Sequence, residues 1–147
     1  MTAIEACTTL EHAGWLALRS ALWPHASRDE HLSEMAAFLA EPHRYAQFVA
    51  LADAGPAGLV EVSRRTDYVN GADSSPVGFL EGLYVAPAYR RLGIARALVD
   101  AAQQWAAERG CREFASDAPL DNEVSHAVHR ALGFVETERV VCFVRRR

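Results

Sequence analysis

Cysteine, net positive charge and long apolar runs are all scarce in this chain. The three cysteines, Cys7, Cys111 and Cys142, form an odd set with no C-x-x-C pair. Neither a disulfide framework nor a zinc ribbon is supported, and a reducing compartment is the simplest expectation. No apolar stretch approaches the length that crosses a bilayer, and the first ten residues lack a basic start followed by an apolar run, so a cytoplasmic protein without a membrane segment is expected. A formal net charge of -4 opposes nucleic-acid binding, which rests on cationic neutralisation of phosphates, and suits cationic small molecules instead. Arg145, Arg146 and Arg147 read as a solvated tail, since basic binding patches are normally longer. What remains is ordinary: 50% hydrophobic and 23% charged residues over 147 positions predict one soluble globular domain spanning residues 1–147.

No repeat and no low-complexity linker interrupts the chain, so its elements are expected to form a single sheet and its covering helices. Ile4 to Cys7 reads as a strand. Leu10 to Leu22 reads as a helix, with Trp15, Leu18 and Leu22 on one face and Pro24 as its stop. Ser27 followed three residues later by Glu30 has the form of a capping box, which predicts a helix over Arg28 to Leu39. Tyr45 to Ala52 and Leu59 to Arg65 are rich in strand formers and flank Asp53-Ala-Gly-Pro56, the pattern of a hairpin. Asp67 to Pro76 reads as an exposed loop, and Val77 to Val85 resumes as a strand. Ile94 to Arg109 is the clearest helix, with Ile94, Leu98, Ala101, Ala102 and Trp105 in one stripe and Gly110 behind it. A strand over Glu113 to Asp117 follows. A helix capped by Asp121 or Asn122 then runs to Leu132, and Val135 to Val144 reads as a final strand. The sum is an α/β fold with a mixed, mostly antiparallel central sheet flanked by helices.

The segment richest in chemistry is Arg90-Arg-Leu-Gly-Ile-Ala95, between a strand and the long helix. Helix N-termini expose unpaired amides and the positive end of the dipole, and Gly93 with small Ala95 lets backbone approach a pyrophosphate. An ordinary turn with solvated basic residues gives the same six letters, so context must decide. Neither the G-x-x-x-x-G-K-[ST] phosphate loop nor a G-x-G-x-x-G turn after a first strand is present. Arg90-x-x-Gly93-x-Ala95, after Leu83-Tyr84-Val85 and before a Leu98-containing helix, resembles the coenzyme A site of the GCN5-related N-acetyltransferase superfamily. Leu132-Gly133-Phe134 is similar to that superfamily's closing motif.

The resemblance implies an acyl-CoA N-acyltransferase fold and acetyl-CoA as co-substrate, with no metal. It assigns coenzyme A contacts to Arg90, Arg91, Leu92, Gly93, Ile94 and Ala95, the amides from Arg91 to Ala95 holding the pyrophosphate. A bulged strand at Leu83, Tyr84 and Val85 would receive the pantetheine arm, and Asn122 would make a further coenzyme A contact. Strand addition to a splayed edge is physically sensible, and a bulge amide could donate to a developing oxyanion.

A closer resemblance, to the aminoglycoside 6'-N-acetyltransferases, runs from about Ile4 to Phe143. Its segments are Leu22-Trp23-Pro24, Asp67-Tyr-Val-Asn-Gly-Ala-Asp-Ser-Ser-Pro76, Phe79-Leu-Glu-Gly82, Cys111-Arg-Glu-Phe-Ala-Ser-Asp117 and Leu132-Gly-Phe-Val-Glu-Thr-Glu-Arg139. It implies acceptor contacts at Trp23, Tyr68, Glu81, Asp117 and Glu138, a homodimer, and resistance to these antibiotics. Carboxylates and aromatics suit a polycationic sugar. Glu81 is the most informative of the five, because simple alternation puts it on the face of Phe79 and Leu83, where an acid is costly unless paired or wet. An edge-strand acid facing water, a turn role for Asp117, a surface ion pair for Glu138 and core packing for Trp23 and Tyr68 are the plainer readings.

The expected chemistry is direct attack of the acceptor amine on the thioester, both substrates bound together, with Glu81 as base. No cysteine has a sequence neighbour that would serve as its base, which disfavours a covalent acyl-enzyme. Where many superfamily members carry a tyrosine acid, this chain has His129, and the general acid stays unassigned. His126 and His129 lack a nearby third metal ligand. Two rivals stand beside this reading: a protein amine or polyamine as acceptor, and a non-catalytic acyl-coenzyme A binding module.

Overall fold

The computed structural model describes residues 2–147. Its strands form one five-stranded sheet in the order β1 (Ala3–Ala6), β2 (Tyr45–Ala52), β3 (Gly55–Arg65), β4 (Val77–Val85), β5 (Phe114–Ala115). Neighbours are antiparallel except β4 and β5, which are parallel. The helices are α1 (Trp15–Leu22), α2 (Arg28–Leu39), α3 (Ile94–Ala107) and α4 (Glu123–Ala131), with a short 3-10 turn at Pro87–Tyr89.

Residues that alternate along β3 point to opposite faces, and each face has its own apolar layer. Leu59 meets Trp15, Leu18 and Met35 of α1 and α2. Val60 and Val62 meet Ile94, Leu98 and Trp105 of α3. Ile94 and Leu98 are 5% and 0% exposed, so each contributes about 1.5–3 kcal/mol of burial free energy relative to an exposed side chain. That packing fixes the head of α3 against the sheet.

Several expectations hold to the residue, and others are corrected. The helix over Arg28–Leu39 carries the expected reciprocal cap: Glu30 N–H donates to Ser27 Oγ, and Ser27 N–H donates to the Glu30 carboxylate, both at 3.1 Å. The helix expected from Leu10 instead starts at Trp15. Gly14 adopts φ 90°, and a Cβ there would lie 2.4 Å from Pro56 Cβ, so the chain must turn before the helix begins. The strand expected from Leu59 begins earlier, at Gly55, because the reversal needs only the residues between Ala52 and Gly55.

The strand expected over Glu113 to Asp117 shrinks to Phe114–Ala115, paired with Gly78 and Phe79. The final strand expected over Val135 to Val144 is not formed. A strand exists only where another strand takes its backbone groups. Val135, Val141 and Phe143 are 82%, 77% and 92% exposed along this unpaired segment.

The loop expected to be exposed, Asp67 to Pro76, is clasped at two points. Val69 is buried beside Val77 and Phe79, and the Glu113 carboxylate accepts from the Asp73 amide at 2.9 Å and from the Ser74 hydroxyl. The Ser74 hydroxyl first, and the Asp73 amide second, hold that carboxyl below its ordinary value.

Candidate active site

Pairing between β3 and β4 shifts register at one place: Glu61 faces Gly82, and Val62 faces Leu80. Glu81 is therefore the extra residue of a β-bulge, which turns it out of the ladder and inverts the parity beyond it. Of the three residues expected to share a face, Phe79 and Glu81 do, under one Arg65 guanidinium, and Leu83 does not. Leu83 packs with the α3 layer, whereas Glu81 joins Ser63 and Arg65 on the opposite face. An acid inside an apolar strand is tolerated here because the bulge brings it to solvent and to partners.

Those partners are specific. The Glu81 carboxylate accepts from the Ser63 hydroxyl. Arg65 donates to it through Nη2, at 3.0 Å to Oε1 and 2.9 Å to Oε2, and through Nε at 3.2 Å to Oε2. The same guanidinium lies 3.5 Å from the Phe79 ring centroid.

Trp23 closes α1 and lies across Gly82, where a Cβ would stand 2.5 Å from the indole. Only glycine leaves that space, so β4 and Trp23 meet directly beside Glu81. A buried polar cluster lies behind Trp23. Arg19, His31 and Glu61 are 2%, 1% and 3% exposed. Arg19 donates to Glu61 Oε2 (2.9 Å), to His31 Nδ1 (2.7 Å) and to Glu34 (2.6 Å), and its guanidinium lies 4.8 Å from the Trp23 ring. Trp15 Nε1 also donates to Glu61, at 3.0 Å. Because a guanidinium only donates, His31 Nδ1 must accept and its proton sits on Nε2, which donates to the Trp23 carbonyl at 3.1 Å. Burial opposes the charge on Arg19, but Glu61 and Glu34 outweigh it and raise its pKa above the ordinary arginine value.

The five expected acceptor contacts fall in two adjoining hollows. Trp23, Tyr68 and Glu81 line one. Tyr68, Asp117 and Glu138 line the other. Arg65 and Tyr68 border both. Asp117 follows the short β5, and Glu138 lies in the unpaired segment near Gly71.

Beyond Phe79, β4 has no strand partner on its β5 side among the described residues, so Leu83, Tyr84 and Val85 present an open backbone edge. That edge leads to the head of α3. No side chain caps this helix, Gly93 at its N-cap takes φ 80° with open space where a Cβ would be, and Arg91 also takes a left-handed φ of 64°. Successive left- and right-handed residues aim amides at a common point, which suits an anion. Leu92 is exposed and Ile94 is buried, so Ile94 offers its backbone while its side chain anchors the helix. Arg90 folds back, its Nε donating to the Val85 carbonyl at 2.9 Å. Asn122 is already engaged as the cap of α4, its Oδ1 accepting from the Ser125 amide at 3.1 Å.

His126 Nε2 donates to the Pro119 carbonyl (2.9 Å) and His129 Nδ1 to the Ser125 carbonyl (2.7 Å). The remaining ring nitrogen of His129 accepts from the Ser116 hydroxyl at 2.7 Å. Among the described residues no group of three or more potential metal ligands gathers, and no helix is long and apolar enough to cross a membrane. Sequence reasoning missed Ser63, Arg65, Arg19, His31 and Glu61. The one available signal was Glu61, Ser63 and Arg65 at alternate positions after the apolar run Leu59-Val60.

A mixed sheet whose fourth strand is bulged and splayed, leading into a glycine-headed helix, defines an acyl-coenzyme A-dependent transferase. The chain belongs to the Acetyltransferase (GNAT) family, whose profile matches residues 12–134. Among individual relatives, it is 54% identical over 130 residues to an aminoglycoside N(6')-acetyltransferase type 1 of Acinetobacter baumannii, covering 88% of each chain. It is 49% identical over 139 residues to the enzyme of the same name from Salmonella enteritidis, covering 95% of this chain and 94% of that one. Among solved structures it matches AAC(6')-Iy in complex with a bisubstrate analogue, CoA-S-monomethyl-acetylneamine, at TM-score 0.92 and 45% identity over 100% of this chain and 99% of that one. AAC(6')-Ih from Acinetobacter baumannii matches at TM-score 0.93 and 47% identity, over the same shares.

Proposed function

We propose that this protein transfers the acetyl group of acetyl-CoA to the 6'-amino group of aminoglycoside antibiotics, as an aminoglycoside 6'-N-acetyltransferase that confers resistance in the cytoplasm. The carrying observation is the juxtaposition at β4. A free backbone edge and an uncapped helix head lie on one side of the bulge, and an acid- and aromatic-lined hollow lies on the other. The names of the relatives at 45–54% identity point the same way.

The residues fit acetyl-CoA. Backbone amides over Arg91 to Ala95 would hold its pyrophosphate, and the edge at Leu83, Tyr84 and Val85 would pair with its pantetheine arm. When bound it supplies an activated thioester carbonyl. Trp23 and Tyr68 would stack on the sugar, and Asp117 and Glu138 would hold its remaining ammonium groups. Glu81 accepts a proton from the reacting ammonium, directly or through water, and frees the lone pair that attacks the carbonyl. A bulge amide stabilises the charge that develops on the carbonyl oxygen. The amide bond forms as the carbon–sulfur bond breaks; the nitrogen releases its second proton to solvent, and the departing thiolate takes one from solvent. Carboxylates crowded round the amine raise its pKa while tightening its binding, which makes deprotonation the slow step.

In this reading residues 1–147 act as one domain and the enzyme is a homodimer. The support is the segment 135–147, rich in strand formers, unpaired, and carrying exposed Val140, Val141, Phe143 and Val144. A second copy would cover it, because exposed apolar strand formers in sequence seek a partner.

The test is thiol release with kanamycin-like and gentamicin-like amines, with the acetylated nitrogen located by NMR. Glu81→Ala should lower kcat/KM for the acceptor at least a hundredfold and leave acetyl-CoA binding within about threefold, in line with loss of a general base. Equal loss of acceptor use and cofactor affinity would overturn the assignment.

A further inference from the structure

The carboxylate proposed as base is already occupied. Glu81 Oε2 accepts from the Ser63 hydroxyl and from two Arg65 nitrogens, and Oε1 accepts from Arg65 Nη2. An ionised carboxylate has about four lone-pair sites, so most of its accepting capacity and its charge are taken up without an acceptor. An incoming ammonium meets a guanidinium at the atoms it needs.

Arg65 differs from Arg19, which lines the same hollow. Arg19 is walled in, its side chain 3% exposed and its three nitrogens bonded to three different residues. The Arg65 side chain is 42% exposed and that of Glu81 is 32% exposed. Among the described residues the side-chain hydrogen bonds of Arg65 go to Glu81 alone, and its guanidinium lies over the face of Phe79. It also stands on the border between the two hollows.

We propose that Arg65 is a displaceable counter-ion of Glu81 that selects polycationic over monocationic acceptors. With no acceptor present it neutralises Glu81 and separates the Trp23 and Glu81 hollow from the Asp117 and Glu138 hollow. A monoamine can only exchange one cation for another at Glu81, so it gains little. A polyamine that displaces Arg65 also reaches Asp117 and Glu138 with its other ammonium groups, and those contacts offset the exchange. Selectivity then arises from a resident competitor as well as from attractive groups.

This inference rests on the reading of Glu81 as the residue that receives the reacting amine. The experiment compares Arg65→Met, which keeps the stem over Phe79 and removes the charge, with Arg65→Lys and Arg65→Gln. Each is assayed with kanamycin and with a simple 6-amino-6-deoxyglucoside, and acetyl-CoA KM and melting temperature are measured alongside. Arg65→Met should raise kcat/KM for the monoamine at least fivefold, mostly through KM, and leave acetyl-CoA KM within twofold. Kanamycin should gain less, Arg65→Lys should resemble the parent, and Arg65→Gln should follow Arg65→Met if the latter folds poorly. In a Glu81→Gln background the gain should vanish.

A higher monoamine KM with unchanged acetyl-CoA KM would overturn the proposal, because Arg65 would then stay in place and aim Glu81. Parallel losses for acceptor and cofactor would also overturn it, since they mark a structural role. If Glu81→Gln alone leaves turnover intact, the reading of the site itself fails, whatever Arg65 does.

Discussion

Arg19→Met is the sharpest test of how the floor of the hollow lined by Trp23 and Glu81 is held together. The substitution keeps much of the buried stem but withdraws three hydrogen-bonded nitrogens from Glu61, His31 and Glu34. Glu34 is half-exposed and is rehydrated at little cost. Glu61, 3% exposed, keeps the Trp15 indole as its one side-chain donor among the described residues. Breaking a buried pair by removing one partner costs about 3–5 kcal/mol, far more than a pair is worth against an apolar replacement. For a chain of this size each kcal/mol moves the melting temperature by about 2–4 °C, so a drop on the order of 10 °C is expected. Adding Glu61→Leu removes the stranded charge and should recover most of the loss. Differential scanning calorimetry of the parent, both single variants and the double variant gives the coupling directly. If the double variant melts as low as Arg19→Met, the cost lies in packing and the charge argument is wrong.

Two further expectations follow from the titrating groups. Burial first, and then Glu61 and Glu5, push the Cys7 thiol up to about 12, and burial also raises Cys111. At pH 8 an aromatic disulfide reagent should leave both unlabelled in the native protein and label both on unfolding; fast native labelling of Cys7 would revive a thiol nucleophile. Glu113 is depressed below its ordinary value of 4.5 by the Ser74 hydroxyl and the Asp73 amide. Its folded pKa lies below the unfolded one, so the clasp on the loop is complete above 4.5 and is lost as pH falls through the lower folded value. Amide exchange at Asp73 should therefore be protected at pH 6, lose protection in acid, and be unprotected at pH 6 in Glu113→Ala. A parent and variant that exchange alike at pH 6 would remove the clasp.

Local signals in the chain carried much of this architecture. The capping box at Ser27 and Glu30, the alternating strand formers of Tyr45–Ala52 and Val77–Val85, and the apolar stripe from Ile94 were legible because each depends on residues within a few positions of one another. Gly93 was legible for the same reason, since the turn into α3 is local. The contacts that build the hollow beside Trp23 and Glu81 were not. Arg19 and Trp15 reach Glu61 across 42 and 46 residues, and no periodicity encodes which buried acid meets which arginine. The bulge at Glu81 was invisible to alternation, because one extra residue inverts the parity of everything after it. The final strand failed for a different reason: Val135 to Val144 has strand composition, but a strand is a property of a pair, and its partner lies outside a single chain in the proposed dimer.

The central claim is that the splayed edge of β4 and the bulge at Glu81 hold both substrates at once, so that acetyl passes directly between them. Initial rates measured while acetyl-CoA and kanamycin are both varied test it most directly. Double-reciprocal lines should intersect, as a ternary complex requires. Parallel lines, with acetylated protein trapped when the acceptor is withheld, would contradict it.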